Sequence, residues 1–142
     1  MEQNSRELFQ AFSRHFGFLN KDCCQAFSHN ISLVQSHILY EVEHQDQLSM
    51  QQVVERLGTD IPIFGRRVQS LIKINLISKT SDPEDRRISI LLLTEEGKEV
   101  AESINQQMNQ YLDDVFSNMS KEEKEMVVFS IQLLNKSMQK NK

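Results

Sequence analysis

The chain has 142 residues, 8 Phe and 2 Tyr but no Trp, only 4 Gly and 2 Pro, and a formal net charge of −4. That length suffices for one domain with its own core, and so few turn-forming residues point to long helices and a mainly α protein. The acidic balance excludes an indiscriminate polyanion binder. No run approaches the roughly 20 apolar residues of a membrane span, and the first residues lack the basic start and apolar run of a secretion signal. A cytoplasmic protein without a membrane partner is therefore expected. The two cysteines, Cys23 and Cys24, are neighbours. Adjacent thiols are badly placed to crosslink, which fits a reducing compartment.

In chain order, Leu8, Phe12, Phe16 and Leu19, with Phe9 beside them, predict an amphipathic helix over 6–19. Asn20, Asp22, Ser28, His29 and Asn30 predict a turn or break over 20–30. Ile31, Val34, Ile38 and Val42 mark a second helix, closed by His44, Gln45 and Asp46. Ser49 with Gln52 three residues later reads as a capping box. It opens a short helix with Met50, Val53, Val54 and Leu57 inward, and Gly58 suits its left-handed C-cap. Thr59 or Asp60 starts another helix, with Pro62 in its first turn and Phe64, Val68, Leu71 and Ile72 on its apolar face. Two short helices about a tight glycine turn make a helix-turn-helix.

Leu76–Lys79 and Ile88–Leu93 have strand character, and the stretch between them, Ser81-Asp82-Pro83-Glu84-Asp85-Arg86-Arg87, is a charged hairpin tip. A helix-turn-helix followed by such a hairpin is a winged helix. Thr94 reads as an N-cap with Glu95 and Glu96 well placed in the first turn. Val100, Ile104, Met108, Tyr111, Val115 and Met119 then predict a long helix. Ser120 with Glu123 is a second capping box, and Val127, Ile131, Leu134 and Met138 stripe the last helix.

Charge is unevenly spread. Residues 1–59 carry 4 basic and 7 acidic side chains, and residues 91–142 carry 6 and 9. Residues 60–90 reverse the sign, with Arg66, Arg67, Lys73, Lys79, Arg86 and Arg87 against Asp60, Asp82, Glu84 and Asp85. A basic centre in an acidic chain suits a DNA reader whose other surfaces repel DNA.

From Lys79 through the wing to Leu93-Thr94-x-x-Gly97, the sequence resembles the MarR family of bacterial regulators. Asp85 and Arg87 occupy that family's Asp-x-Arg positions, and Leu93, Thr94 and Gly97 the Leu-Thr-x-x-Gly positions. The resemblance implies a winged helix-turn-helix over 31–94, with 1–30 and 95–142 as long helical dimerisation segments of one intertwined domain. It also implies a homodimer on a palindromic double-stranded DNA operator, released by a small molecule or an oxidant. Arg87 would enter the minor groove with Asp85 orienting it.

The helix over 60–74 would lie in the major groove. Arg66 matches a basic family position, where a bidentate contact to guanine discriminates by about 1–3 kcal/mol. Arg67 stands where relatives are usually apolar, so its stem can pack while its charge reaches out. Arg86 adds a second cation at the wing base. Ile61, Pro62 and Ile63 depart from the Lys, Ser and Thr common in relatives. They can touch thymine methyls but donate no hydrogen bond. Gly65 replaces a polar residue at a cost of about 1 kcal/mol in helix stability, and Asn75 takes the place of a C-capping glycine.

Cys23 and Cys24 are candidate thiol sensors, although two small, partly buried residues are the plainer reading. His37, Glu41 and His44 share a helix face that, with Cys24, has the donor types of a zinc site, but that spacing is common on solvated helices and no metal is expected. His15 and His29 have no partner in the pattern. The Phe and Met stripes read as dimer core before ligand pocket. No phosphate loop or nucleophile motif points to an enzyme, and no cofactor is implied. The competing reading, suggested by the apolar Ile61–Ile63 run, is a winged-helix protein-interaction module with weak or lost DNA binding.

Overall fold

The structure, a computed structural model, describes residues 4–22, 25–26, 29–45, 47–57 and 61–140. Its elements are α1 (Ser5–Asp22), β1 (Gln25–Ala26), β2 (His29–Asn30), α2 (Leu33–His44), α3 (Met50–Leu57), α4 (Ile61–Lys73), β3 (Ile77–Ser81), β4 (Ser89–Leu93), α5 (Glu95–Phe116) and α6 (Lys121–Lys140). The protein is mainly α with a small β-hairpin wing, as expected. It divides into two compact units, Met1–Gln107 and Met108–Lys142.

In the first unit α2 packs against α3, α4 and β4, and α4 packs against β3. The core is apolar apart from Gln35. Ile38, Val53, Phe64, Val68, Leu71, Leu76, Ile77, Leu91 and Val100 are each at most 1% exposed. Ser32 caps α2 in a reciprocal box with Gln35, whose side chain accepts from the Ser32 backbone. That box sets the helix start at Leu33, two residues beyond the buried Ile31. The region over 20–30 holds a surprise, because β1 and β2 pair antiparallel there. Two-residue strands carry no alternation that a sequence pattern could reveal.

The wing is tied to the helices at three points. Ser49, the cap of α3, bridges Ile90, and the Leu91 N–H donates to the Leu48 carbonyl at 3.0 Å. β4 is thereby held between β3 and the chain entering α3. At the end of α4, Asn75 takes a left-handed φ of 65°. Its N–H donates to the Ile72 carbonyl and that of Leu76 to the Leu71 carbonyl, a Schellman cap that turns the chain into β3. Asparagine tolerates this conformation better than most residues, so it serves where glycine is usual.

The third tie explains the Leu93-Thr94-x-x-Gly97 motif. Thr94 Oγ1 accepts from the Gly97 N–H at 2.9 Å and donates to the Asn75 carbonyl at 2.7 Å. The Thr94 N–H donates to the Leu76 carbonyl. A Cβ at position 97 would collide with that same Leu76 carbonyl. Threonine locks the junction and glycine lets the first turn of α5 lie against it.

In the second unit, α5 stops at Phe116, three residues before the apolar stripe suggests. The Asn118 N–H donates to Val115 and that of Met119 to Phe116, a tightened last turn. The Ser120–Glu123 capping box then opens α6. Among its described residues α6 has none buried. Among the described residues, no helix of the protein is long and apolar enough to cross a membrane.

Candidate nucleic-acid interface

The helix-turn-helix is built from α3 and α4. Ser49 Oγ accepts from the Gln52 N–H and Gln52 Oε1 from the Ser49 N–H, which is the predicted capping box. On α4 the buried Phe64, Val68 and Leu71 point one face inward. Helical spacing therefore turns Arg66, Gln69, Ser70 and Lys73 to solvent, and all four are exposed. Arg67 is exposed as well. Gln69, Ser70 and Lys73 were not candidates from the sequence, although the 3.6-residue period places them beside Arg66. Ile61, Pro62 and Ile63 form the first turn of α4. The expected Gly58 C-cap and the Thr59 or Asp60 helix start lie outside the described residues, as do Cys23 and Cys24.

The wing pairs in register from Ile77 opposite Leu93 to Ser81 opposite Ser89. Its tip is organised by two aspartates. Asp82 Oδ1 accepts from the Glu84 N–H at 2.8 Å, while the Asp82 N–H donates to the Ile88 carbonyl. Asp85 Oδ1 accepts from both the N–H and Nε of Arg87, each at 3.1 Å, and Oδ2 accepts from Nη2 at 3.1 Å. The guanidinium hydrogen bonds, and then the Arg87 backbone N–H, hold the Asp85 carboxyl below its usual range. The same bonds raise Arg87 above its own.

The result is a forked ion pair in which Arg87 stays 90% exposed and yet has a fixed direction. An ion pair this exposed adds little to folding. What it supplies is a planar cation held at the tip of a hairpin, the arrangement a narrow, electronegative minor groove attracts. Arg86 is also exposed at the tip.

The other candidates are otherwise engaged. Glu41 lies 3.7 Å from Arg56 Nη1. His44 stacks on Tyr40 with ring centroids 4.0 Å apart, and its Nδ1 is 2.8 Å from the Tyr40 carbonyl. Partial burial lowers the His37 pKa, with Glu41 opposing. Among the described residues no three His, Cys, Asp or Glu side chains are grouped to hold a metal ion. His29, unpartnered in the sequence pattern, meets Glu96 at 2.8 Å and ties β2 to the first turn of α5. A pair 67 positions apart leaves no local signal.

A helix-turn-helix closed by a pinned β-hairpin defines a winged-helix protein. Residues 31–89 match the model of the MarR family. The match covers the winged-helix segment and shows what that part of the chain is similar to. YdgJ of Bacillus subtilis, described as an uncharacterized HTH-type transcriptional regulator, is 26% identical over 98 residues. That similarity covers 69% of this chain and only 60% of YdgJ. Among solved structures, a MarR transcriptional regulator from Methanosarcina mazei Go1 superposes with a TM-score of 0.85 at 17% identity, over 97% of this chain and 100% of that one. Streptococcus pneumoniae FabT, solved in complex with DNA, gives 0.83 at 17% identity over 96% of both chains. These likenesses show the fold.

Proposed function

We propose that the chain is a sequence-specific DNA-binding transcriptional regulator that acts as a homodimer on a palindromic operator, represses from it, and is released by a small ligand or by modification of Cys23 or Cys24. The observation that carries the DNA reading is the pairing of two cationic elements on one winged helix. Arg66 and Lys73 stand on the solvent face of α4, and Arg87 is aimed from the wing by Asp85. The first pair suits the major groove and its flanking phosphates, the second the adjacent minor groove. FabT, of the same fold, was solved on DNA, which supports this reading.

The homodimer is supported by the apolar faces of the terminal helices. Leu8, Phe9 and Phe12 on α1 are each at least 50% exposed, and Met126 and Phe129 on α6 at least 65%. Surface on that scale marks an interaction site. Two copies related by a twofold axis would read half-sites one helical turn apart, about 34–36 Å.

Fluorescence anisotropy against a duplex taken from upstream of the chain's own coding sequence tests the reading. Tight binding to that duplex over a random one, weakened by Arg66→Ala and by Arg87→Ala, is expected. A folded, reduced protein that prefers neither duplex at low salt would leave the protein-interaction reading in its place. Loss of binding with oxidant that persists after Cys23→Ser and Cys24→Ser would remove the thiols from the release step.

A further inference from the structure

Gly65 sits inside α4, directly after the buried Phe64. Glycine is a poor helix former, so its presence there wants a reason. Among the described residues there is none. A Cβ at position 65 would meet none of their atoms within 4 Å, in contrast with Gly97 and the Leu76 carbonyl. Gly65 opens on a cleft of about 560 Å³ between α3, α4 and the wing. Ser49 and Val54 line it from the α3 side, and Arg87, Ile88 and Ser89 from the wing.

We propose that this cleft seats the phosphodiester strand of bound DNA, and that Gly65 is left bare so that the strand can come against the helix backbone. The inference rests on the DNA-binding reading above. With α4 in the major groove and the wing in the minor groove, the strand dividing the two grooves must cross between them. Gly65 stands on the side of α4 that shares this gap with Arg87 and Ser89. The walls fit a sugar-phosphate. Arg87 supplies a cation, and Ser89 a hydroxyl. Ser49 Oγ already accepts from the Gln52 N–H, which leaves its own O–H to donate. Val54 and Ile88 present carbon to the apolar edge of a deoxyribose. Glu55 is the acidic exception. Its carboxylate accepts from Gln51 Nε2 at 3.4 Å, and its charge opposes a phosphate nearby.

The test uses the full chain, the upstream duplex and a random duplex of equal length. Gly65→Ala and Gly65→Leu should both raise the melting temperature, because each restores a better helix former in open space. Both should weaken binding to the two duplexes alike, Leu by at least about tenfold. The slope of log affinity against log salt should flatten by about 0.9 for a lost phosphate contact. Glu55→Gln should tighten both duplexes. Wild-type affinity in Gly65→Leu overturns the inference, and so does a loss confined to the upstream duplex, which would signal a base contact. If Arg66→Ala and Arg87→Ala weaken binding while Gly65→Leu does not, this inference alone falls. If the folded wild-type chain binds neither duplex, the DNA reading falls with it.

Discussion

The winged helix and the terminal helices solve the burial problem in opposite ways. Phe64, Val68 and Leu71 on α4 are at most 1% exposed. On α6, a longer helix of 20 residues, Phe129 is 65% and Leu133 56% exposed. The first region satisfies its own hydrophobic surface within one chain. The second carries enough apolar surface for a partner and has none in the single chain. The contrast separates what holds the proposed DNA-reading surface in shape from what would set its copy number.

The largest effect expected from breaking this contrast is in the core. Phe64→Ala should cost about 3–5 kcal/mol, the usual range for emptying a buried aromatic site. Calorimetry should show the loss as a lower melting temperature at every protein concentration. A change under 1 kcal/mol would mean that α4 does not depend on its packed face. Phe129→Glu probes the other region. It should leave the winged helix folded, shift sedimentation toward a monomer, and weaken operator binding by roughly 100-fold as the second half-site is lost. Unchanged sedimentation would remove Phe129 from the interface.

Smaller still is the junction between wing and α5. Thr94→Ala removes an N-cap and the bond to the Asn75 carbonyl together, and should cost about 1 kcal/mol by denaturant titration. Thr94→Ser keeps the hydroxyl and should recover most of it. No difference between the two variants would show that the Oγ1 bonds contribute nothing.

The regularities of the sequence carried most of the fold. Capping boxes at Ser49 and Ser120, the left-handed Asn75 and the stripe of α4 are local, and local spacing reveals them. The wing was legible from two strand-like runs about a polar turn, and the resemblance implied that Asp85 orients Arg87. What stayed hidden is non-local or unpatterned. Glu96 belongs to His29 only once the chain has folded. The β1–β2 ladder is too short to alternate. The reason for Gly97 is a carbonyl 21 positions earlier, visible in the motif only as a resemblance. The cleft beside Gly65 is drawn from three elements, and a lone helical glycine did not announce it.

The smallest effect, and the one that separates orientation from charge, belongs to Asp85. Asp85→Asn keeps an oxygen for the Arg87 N–H, so the hairpin turn should persist, but it removes the second charged oxygen of the fork. The pair lies at the surface, with Arg87 90% and Asp85 35% exposed, so the melting temperature should hardly move. The folded-state pKa of Asp85 lies below its unfolded value, so whatever stability the pair gives is present above about pH 4 and is lost only as pH falls through the lower folded value. Between pH 6 and 8 neither stability nor DNA affinity should change through this group. DNA affinity should nevertheless fall about 2- to 10-fold in the variant, because Arg87 must then be ordered on binding. Removing a negative charge near phosphates acts in the other direction, and that gain is strongest at low salt. The defect should therefore deepen as salt rises from about 0.01 M, with its Debye length near 30 Å, to 0.15 M, where the length is about 8 Å. A variant that binds more tightly than wild type at 0.15 M salt would show that Asp85 acts on DNA through its charge and not by aiming Arg87.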